Sequence, residues 1–434
     1  VPHLPTGERA VSRRLLADVT PLRASRDFRL LFSGQLVSFL GSQLTVVAVP
    51  VQVFRMTHSS LDVGLVSLAQ LVPLVIGSLV GGSVADAVDR RRLLLGVQVL
   101  LALTSAGLAA NAMAPHPRVW PLFVVTAVAA GLSGLDRPAR NAAIPGVLKG
   151  RHLPAAFALW QVQMQVGLVA GPALAGVLLA QASLSTVYWI DVATFGAAFA
   201  SVLLMQPLAP EGGGTRAGLA SAAEGVRYLR GRRLLTSTFL IDIDAMVLGM
   251  PRALFPALGF GVFGGGAATV GLLYAAPGAG ALAGALLTGW VAAVRRQGRA
   301  VVVAVIVWGA AIAAFGLAPW LPLALALLAV AGAADVVSAV FRNTILQSSV
   351  PDALRGRLSA IHIAVVTGGP RLGDAESGAV AALAGPQFSV VSGGLACLVG
   401  VALLAWRVPE LAAYDTHAPV APAGPVGPSP VGGP

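Results

Sequence analysis

Apolar residues run along this chain in long blocks, not in the short alternations of a half-buried strand. A helix needs about 20 mostly apolar residues to cross the hydrocarbon core of a bilayer. Twelve blocks approach that length: 30–54, 62–84, 93–113, 119–136, 156–180, 186–206, 236–260, 268–293, 300–318, 321–341, 358–384 and 387–407. Breaks as short as Ala318-Pro319-Trp320 and Ala384-Gly385-Pro386 predict adjacent antiparallel helices. The longest interior polar stretch, 207–235, holds Pro207, Pro210, Gly212-Gly213-Gly214 and five arginines, and it divides the chain six helices from six. The predicted organisation is an N-terminal segment 1–28, a six-helix bundle 29–206, a central loop 207–235, a second six-helix bundle 236–407 and a tail 408–434. That tail is rich in Pro and Gly and is expected to be disordered. The fold class is all-α membrane protein.

Composition sharpens this picture. Of 434 residues, 56% are apolar and only 11% charged, and mean hydropathy is +0.81. Soluble globular chains carry roughly 25% charged residues, so a soluble enzyme, a disordered chain and a nucleic-acid-binding module are excluded. The single cysteine, Cys397, leaves no internal disulfide and no Cys-based metal or redox motif. The six histidines form no HExxH, and the one lysine, Lys149, precedes Gly150 and so opens no phosphate-binding loop. No cofactor, no resident metal and no enzymatic activity are expected. The first 28 residues carry no apolar core, so no cleavable signal peptide is expected.

The net charge of +11 is arranged by side of the membrane. With the N-terminus in the cytoplasm, twenty-five of the twenty-nine basic residues fall on the cytoplasmic side, and only Arg55 and Arg118 fall outside. Arg252 and Arg371 lie within spans. Basic residues favour the cytoplasmic face, so both termini are placed in the cytoplasm and the chain in the cell membrane.

The halves also echo each other. Arg140-Asn141, followed by Pro145-x-x-Leu148-Lys149-Gly150-Arg151, recurs as Arg342-Asn343, followed by Pro351-x-x-Leu354-Arg355-Gly356-Arg357, the two Pro-to-Arg runs lying 206 residues apart. Gly82 with its downstream arginines has a weaker counterpart in Gly289 with Arg295 and Arg296. A duplicated six-helix unit would enclose a binding site near the midplane.

Five stretches narrow the family. Gly82-x-x-x-Asp86-x-x-Asp89-Arg90-Arg91-Arg92 links predicted helices 2 and 3, where Gly82 would allow close helix approach and Asp86 would pair with an arginine or cap a helix start. Gly167-x-x-x-Gly171-Pro172-x-x-Ala175-Gly176 lies in predicted helix 5, where small residues four apart let helices touch and Pro172 introduces a bend. Leu40-Gly41-Ser42-Gln43, Pro138-Ala139-Arg140-Asn141-Ala142-Ala143-Ile144-Pro145 and the run Gly368 to Gly378 complete the set. Together these resemble the major facilitator superfamily, and within it the exporter branch of the enterobactin-exporter and macrolide-efflux type. The resemblance runs from about Leu22 to Arg407. The 2–3 loop departs from the family pattern at Ala87 and Asp89, and its second-half copy has Ala293 in place of the aspartate. Ser42 stands where that branch often has an acid.

The resemblance implies alternating access and efflux. It makes Gly82, Asp86, Arg90 and Arg91 a cytoplasmic gate, and Gly167, Gly171, Pro172 and Gly176 an antiporter motif. Ionisable residues inside spans are functional candidates because burying them is costly. Asp242, about 13 Å beyond Arg233 at helical rise, and Asp244 lack a basic residue within one turn, so they lead as proton carriers, with Asp335 next. Arg371 and Asp374 share a helix face and are expected to pair. Asp191 is expected at the outer interface, and His362 as a packed residue. Gln43, Met246, Met250, Arg371, Asp374 and Glu376 are candidates to line the substrate cavity, to which an unwound Gly368-Gly369-Pro370 would contribute backbone groups. A structural interhelical bond is the competing role for each carboxylate.

The expected function is export of a small amphipathic or hydrophobic compound (a drug, antibiotic or siderophore-like molecule) by proton antiport. The partners are that small molecule, protons and the lipid bilayer, with no nucleic acid, and the protein is expected to act as a monomer. The alternatives are an uptake permease of the same fold and a non-transporting membrane scaffold or receptor.

Overall fold

The computed structural model describes residues 18–148, 150–208, 227–287, 294–350 and 352–415. Lys149, Gly289, Ala293, the greater part of the central loop and most of the tail lie outside them. Twelve long helical segments follow in order: α1 Arg26–Thr57, α2 Ser60–Ala87, α3 Arg90–Met113, α4 Trp120–Val147, α5 Leu153–Gln181 and α6 Leu184–Leu203, then α7 Arg233–Val262, α8 Gly266–Leu286, α9 Gln297–Gly316, α10 Leu321–Ser349, α11 Asp352–Ala384 and α12 Pro386–Arg407. Eleven are long and apolar enough to cross a membrane. The exception, α11, has the length at 33 residues but carries six charged side chains. It packs against α2, α7 and α12.

The pairing of helices in the first six recurs in the second six. α2 packs on α4 as α8 packs on α10, α3 on α6 as α9 on α12, and α1 on α5 as α7 on α11. Glycines make these approaches close. A Cβ at Gly81 would meet the Leu135 Cα at 2.8 Å, and one at Gly134 would meet the Leu74 carbonyl oxygen at 2.6 Å. Gly82, expected to serve this purpose, faces open space; the contact face of α2 is set by Gly77 and Gly81 instead.

Two helices outrun their predicted ends. α4 continues to Val147 and α10 to Ser349, so Arg137, Arg140 and Arg342 are helical residues rather than loop charges. Polar side chains that face protein inside a bundle end a hydropathy block without ending the helix. α7 departs the other way. It is α-helical over Arg233–Leu248, breaks at Gly249-Met250-Pro251, and resumes as a 3₁₀ turn Arg252–Leu254, a helical turn Phe255–Ala257 and a π-turn Leu258–Val262. Pro251 supplies no N–H and disfavours helical geometry before it. The expected unwinding at Gly368-Gly369-Pro370 does not occur, because α11 is helical throughout. Its glycines instead admit neighbours: a Cβ at Gly369 would lie 2.8 Å from the Met246 Cβ.

Candidate functional site: charged clusters at and below the seam between the halves

The end bearing the α1–α2 turn is called distal here, and the end bearing Arg26 and Arg407 proximal. Among the described residues, the hydrogen bonds and ring contacts that cross between the halves lie distal, and the glycine approaches run from there to mid-helix. α5 meets α8, where a Cβ at Gly176 would sit 2.9 Å from the Gly271 Cα and one at Gly278 the same distance from the Leu168 carbonyl oxygen. α2 meets α11, where a Cβ at Gly378 would lie 2.6 Å from the Ser60 carbonyl oxygen. Phe54 of α1 stacks on Phe260 of α7, and the Arg55 guanidinium lies 5.2 Å from the Phe260 ring centre. The helix-5 motif is thus divided in labour. Gly167 and Gly171 admit Phe39 and Gln43 of α1, whereas Gly176 admits the other half.

Asp374 ties the seam together. Its Oδ1 accepts the Ala253 N–H at 3.1 Å, which caps the break in α7, and its Oδ2 accepts the Ser67 hydroxyl of α2 at 2.8 Å. Arg252 lies 3.6 Å from the same oxygen. The expected Arg371–Asp374 pair is therefore replaced by Arg252–Asp374. Arg371, one turn proximal, donates to the Thr367 carbonyl at 2.7 Å, and its Nε is buried without a partner. Tyr274 donates to the Arg252 carbonyl, satisfying another group freed by the break. Glu376 makes no hydrogen bond or ion pair among the described residues.

The proximal part of the second half holds a buried cluster. Arg342 of α10 lies 2.8 Å from Asp242 of α7 and 3.7 Å from Asp335, while His362 of α11 stands 3.8 Å from Asp242. Asp242 is 1% exposed and Arg342 4%. The close Asp242–Arg342 approach is not aligned as a hydrogen bond, so polar atoms of both remain unsatisfied. This corrects the expectation that Asp242 lacks a basic neighbour: its partner is 100 residues away in sequence. His362 also packs edge-on against Phe239. Asp244 points elsewhere. It packs against α12 beside Cys397 and Gly400 and makes no ion pair among the described residues.

The first half pairs its charges locally. Asp136 and Arg140 form an ion pair one turn apart on α4, and the Arg140 guanidinium lies near the Trp160 ring of α5. Asp191 of α6, expected at the outer interface, lies seven residues from the distal end of α6 and is 1% exposed. Its carboxylate accepts the Thr45 and Ser105 hydroxyls, both at 2.7 Å, and it draws α1, α3 and α6 together. Gly41 provides the room for that approach.

The expected gate is differently built. Asp86 is exposed and makes no hydrogen bond or ion pair among the described residues. Asp89 caps α3 by accepting the Arg92 N–H, and Arg91 donates to the Val202 and Leu203 carbonyls at the end of α6. The Arg90 backbone donates to Leu208, and its side chain is buried. Arginines at a helix C-terminus satisfy free carbonyls and favour the dipole. Gln43 and Met246 are buried and Met250 half-buried. Sequence reasoning did not single out Asp136 or Ser67, and took Arg342 only as part of the repeated Arg-Asn pair. The break in α7 was marked only by Gly249-Met250-Pro251, a strong breaker triplet inside an apolar block.

Residues 17–426 match the family described as transmembrane secretion effector. The enterobactin exporter EntS of Citrobacter koseri is 29% identical over 405 residues, covering 93% of this chain and 97% of that one. EntS of Escherichia coli is 30% identical over 390 residues, covering 90% and 94%. The nucleoside transporter NupG superposes with a TM-score of 0.70 at 14% identity, over 90% of this chain and 100% of NupG. A D-xylose–proton symporter gives 0.67 at 14%, over 88% and 98%. These two solved structures share the fold with this chain.

Proposed function

The chain belongs to the transmembrane secretion effector family of major facilitator transporters, and on that premise we propose that it exports a siderophore-like amphipathic compound across the cell membrane by alternating access, driven by proton antiport. The observation that supports this reading is the one-sided seam. The halves meet distally through glycine-lined contacts, an arrangement suited to rocking of one rigid bundle against the other. With both termini in the cytoplasm, this is the inward-facing end state. The site is complete within one chain, as a monomeric transporter requires.

Proton coupling belongs to the second-half cluster. Two carboxylates, Asp242 and Asp335, share one arginine, so the cluster holds one surplus negative charge that one proton neutralises. Asp242 is clamped by Arg342. Asp335 is the outer member, with its side chain 32% exposed, and it is the one that exchanges the proton. Asp244, on the α12 side, is a secondary candidate.

Inverted vesicles test the reading. Enterobactin should accumulate inside them when their lumen is acidified, and accumulation should collapse with a protonophore. Equal uptake with and without the gradient would contradict antiport, and no uptake of enterobactin at all would contradict the siderophore assignment. In a Cys397→Ser background, cysteines at Ser59 and Ser183 should be labelled by an impermeant thiol reagent from outside intact cells. Protection of both would reverse the orientation.

A further inference from the structure

Four carboxylates are buried among the described residues, and three of them face an arginine: Asp136 with Arg140, Asp242 with Arg342 and Asp374 with Arg252. Asp191 makes no ion pair among the described residues. It is 1% exposed and lies seven residues, about 10 Å, inside the distal end of α6. α6 packs on α1, on α3 and, more lightly, on α5. Over residues 30–54, 93–113 and 153–181 those three helices carry no ionisable side chain. The nearest arginines along α1 and α3, Arg55 and Arg92, lie ten residues from Thr45 and thirteen from Ser105, about 15 and 20 Å at helical rise. On α6 itself the other titratable group is Tyr188, whose hydroxyl donates to the Gln52 Oε1 at 2.7 Å. The side-chain partners of Asp191 are all hydroxyls. Thr45 of α1 and Ser105 of α3 each lie 2.7 Å from Oδ2, while Thr194 donates to the Asp191 carbonyl at 2.7 Å and stands 3.4 Å from Oδ1.

A carboxylate buried in a membrane bundle without a cation takes up a proton rather than keep its charge. Hydroxyl partners permit this, since each can donate or accept. A protonated Oδ2 donates to Thr45 or Ser105, and that hydroxyl passes its own hydrogen to a helix carbonyl, as Ser42 does to the Ser38 carbonyl at 3.0 Å. A sodium ion fits less well. It would have to stand between the carboxylate and hydroxyls that already touch it, and α1 closes the remaining side, where a Cβ at Gly41 would lie 2.8 Å from Oδ1. We infer that Asp191 is a proton-binding site of the first half, held in this end state as a neutral acid that locks α1 to α3 and α6. Loss of the proton leaves a charge that nothing in the junction matches, so α1 parts from α3 and α6 only when water reaches the carboxyl. α1 carries Phe54 and Arg55 to the seam, and the lock thereby fixes the first half's side of the distal contact. The proton here is held rather than traded, which separates this site from the Asp242–Asp335 cluster, and it depends on no assumption about the substrate.

Infrared difference spectroscopy of the purified full chain in nanodiscs tests this at neutral pH. The unaltered protein should show the carbonyl stretch of a protonated carboxyl, above the amide I band, and the band should move when the aspartate side chains are isotope-labelled. Asp191→Asn, which keeps the size and removes the acid, should lose that band. Asp335→Asn should keep it, so failure of the second-half coupling reading leaves this site standing. If Asp191→Asn does not fold, Thr45→Val and Ser105→Ala carry the test, since each removes one hydrogen bond to the acid and should raise the frequency of the band. Spectra in sodium chloride and in choline chloride should coincide. The absence of any protonated-carboxyl band that depends on Asp191, a band indifferent to both hydroxyl variants, or loss of the band when sodium replaces choline overturns the proposal.

Discussion

The two halves share helix pairings but use their buried charges differently. In the first half the two buried carboxylates meet partners close by, although one Asp136 oxygen is left without a hydrogen bond. Asp136 has Arg140 one turn away, and Asp191 has three hydroxyl groups, from Thr45, Ser105 and Thr194. In the second half, Asp242 and Asp335 compete for Arg342, with His362 at the edge. Arg140 and Arg342 stand in the same repeated Arg-Asn position, yet one closes a pair and the other holds an unbalanced cluster. A duplicated scaffold thus fixes where a cation sits, while the carboxylates around it decide whether it latches or exchanges charge. A balanced pair has nothing to trade; a cluster with a surplus charge does.

The largest effect is expected at Arg342. Arg342→Gln leaves the buried Asp242 and the partly exposed Asp335 without their guanidinium, and breaking such a buried pair costs about 3–5 kcal/mol. The melting temperature in detergent should fall steeply. Adding Asp242→Asn should restore most of the stability but not uphill export. The matching double change in the first half, Asp136→Asn with Arg140→Gln, should restore both. Recovery of uphill export in both doubles would erase the contrast between the halves.

Next comes the seam. Gly271→Leu pushes a side chain into the Gly176 Cα and the Pro172 carbonyl oxygen and should prevent distal closure, cutting transport more than tenfold while the protein stays folded. A cysteine at Ser67 should then become reactive from the distal side, whereas in the otherwise unaltered protein it should be shielded. A smaller change is expected from Ser67→Ala, which removes one hydrogen bond worth about 0.5–1.5 kcal/mol and should alter turnover less than tenfold. The smallest is Asp86→Asn. Because Asp86 is exposed and makes no ion pair among the described residues, turnover should change less than twofold, whereas a tenfold loss would show that it engages a partner in the other end state.

Hydropathy made the fold legible, because a bilayer-crossing helix writes its length directly into a run of apolar residues. The charge logic was not legible to the same degree. Asp242–Arg342 and Ser67–Asp374 join residues 100 and 307 apart, and no local spacing encodes such meetings. Local reasoning failed where it assumed neighbours in sequence are partners in space. Arg371 and Asp374 share a face, yet the break in α7 brings Arg252 and the Ala253 N–H to Asp374 first. It succeeded where packing alone decides, as at Gly167, Gly171 and Gly176, because a missing side chain has one physical use there. At Gly82 the same argument chose the wrong glycine, since the face of α2 is set by Gly77 and Gly81.

The central claim is that the surplus carboxylate of the second half carries the coupling proton. Its most direct test compares Asp335→Asn with Asp136→Asn in the same inverted vesicles, each assayed for gradient-driven accumulation and for gradient-free exchange of enterobactin. Asp335→Asn is expected to abolish accumulation while exchange survives, and Asp136→Asn to reduce accumulation and exchange together. Accumulation by Asp335→Asn at the level of the unaltered protein would contradict the account.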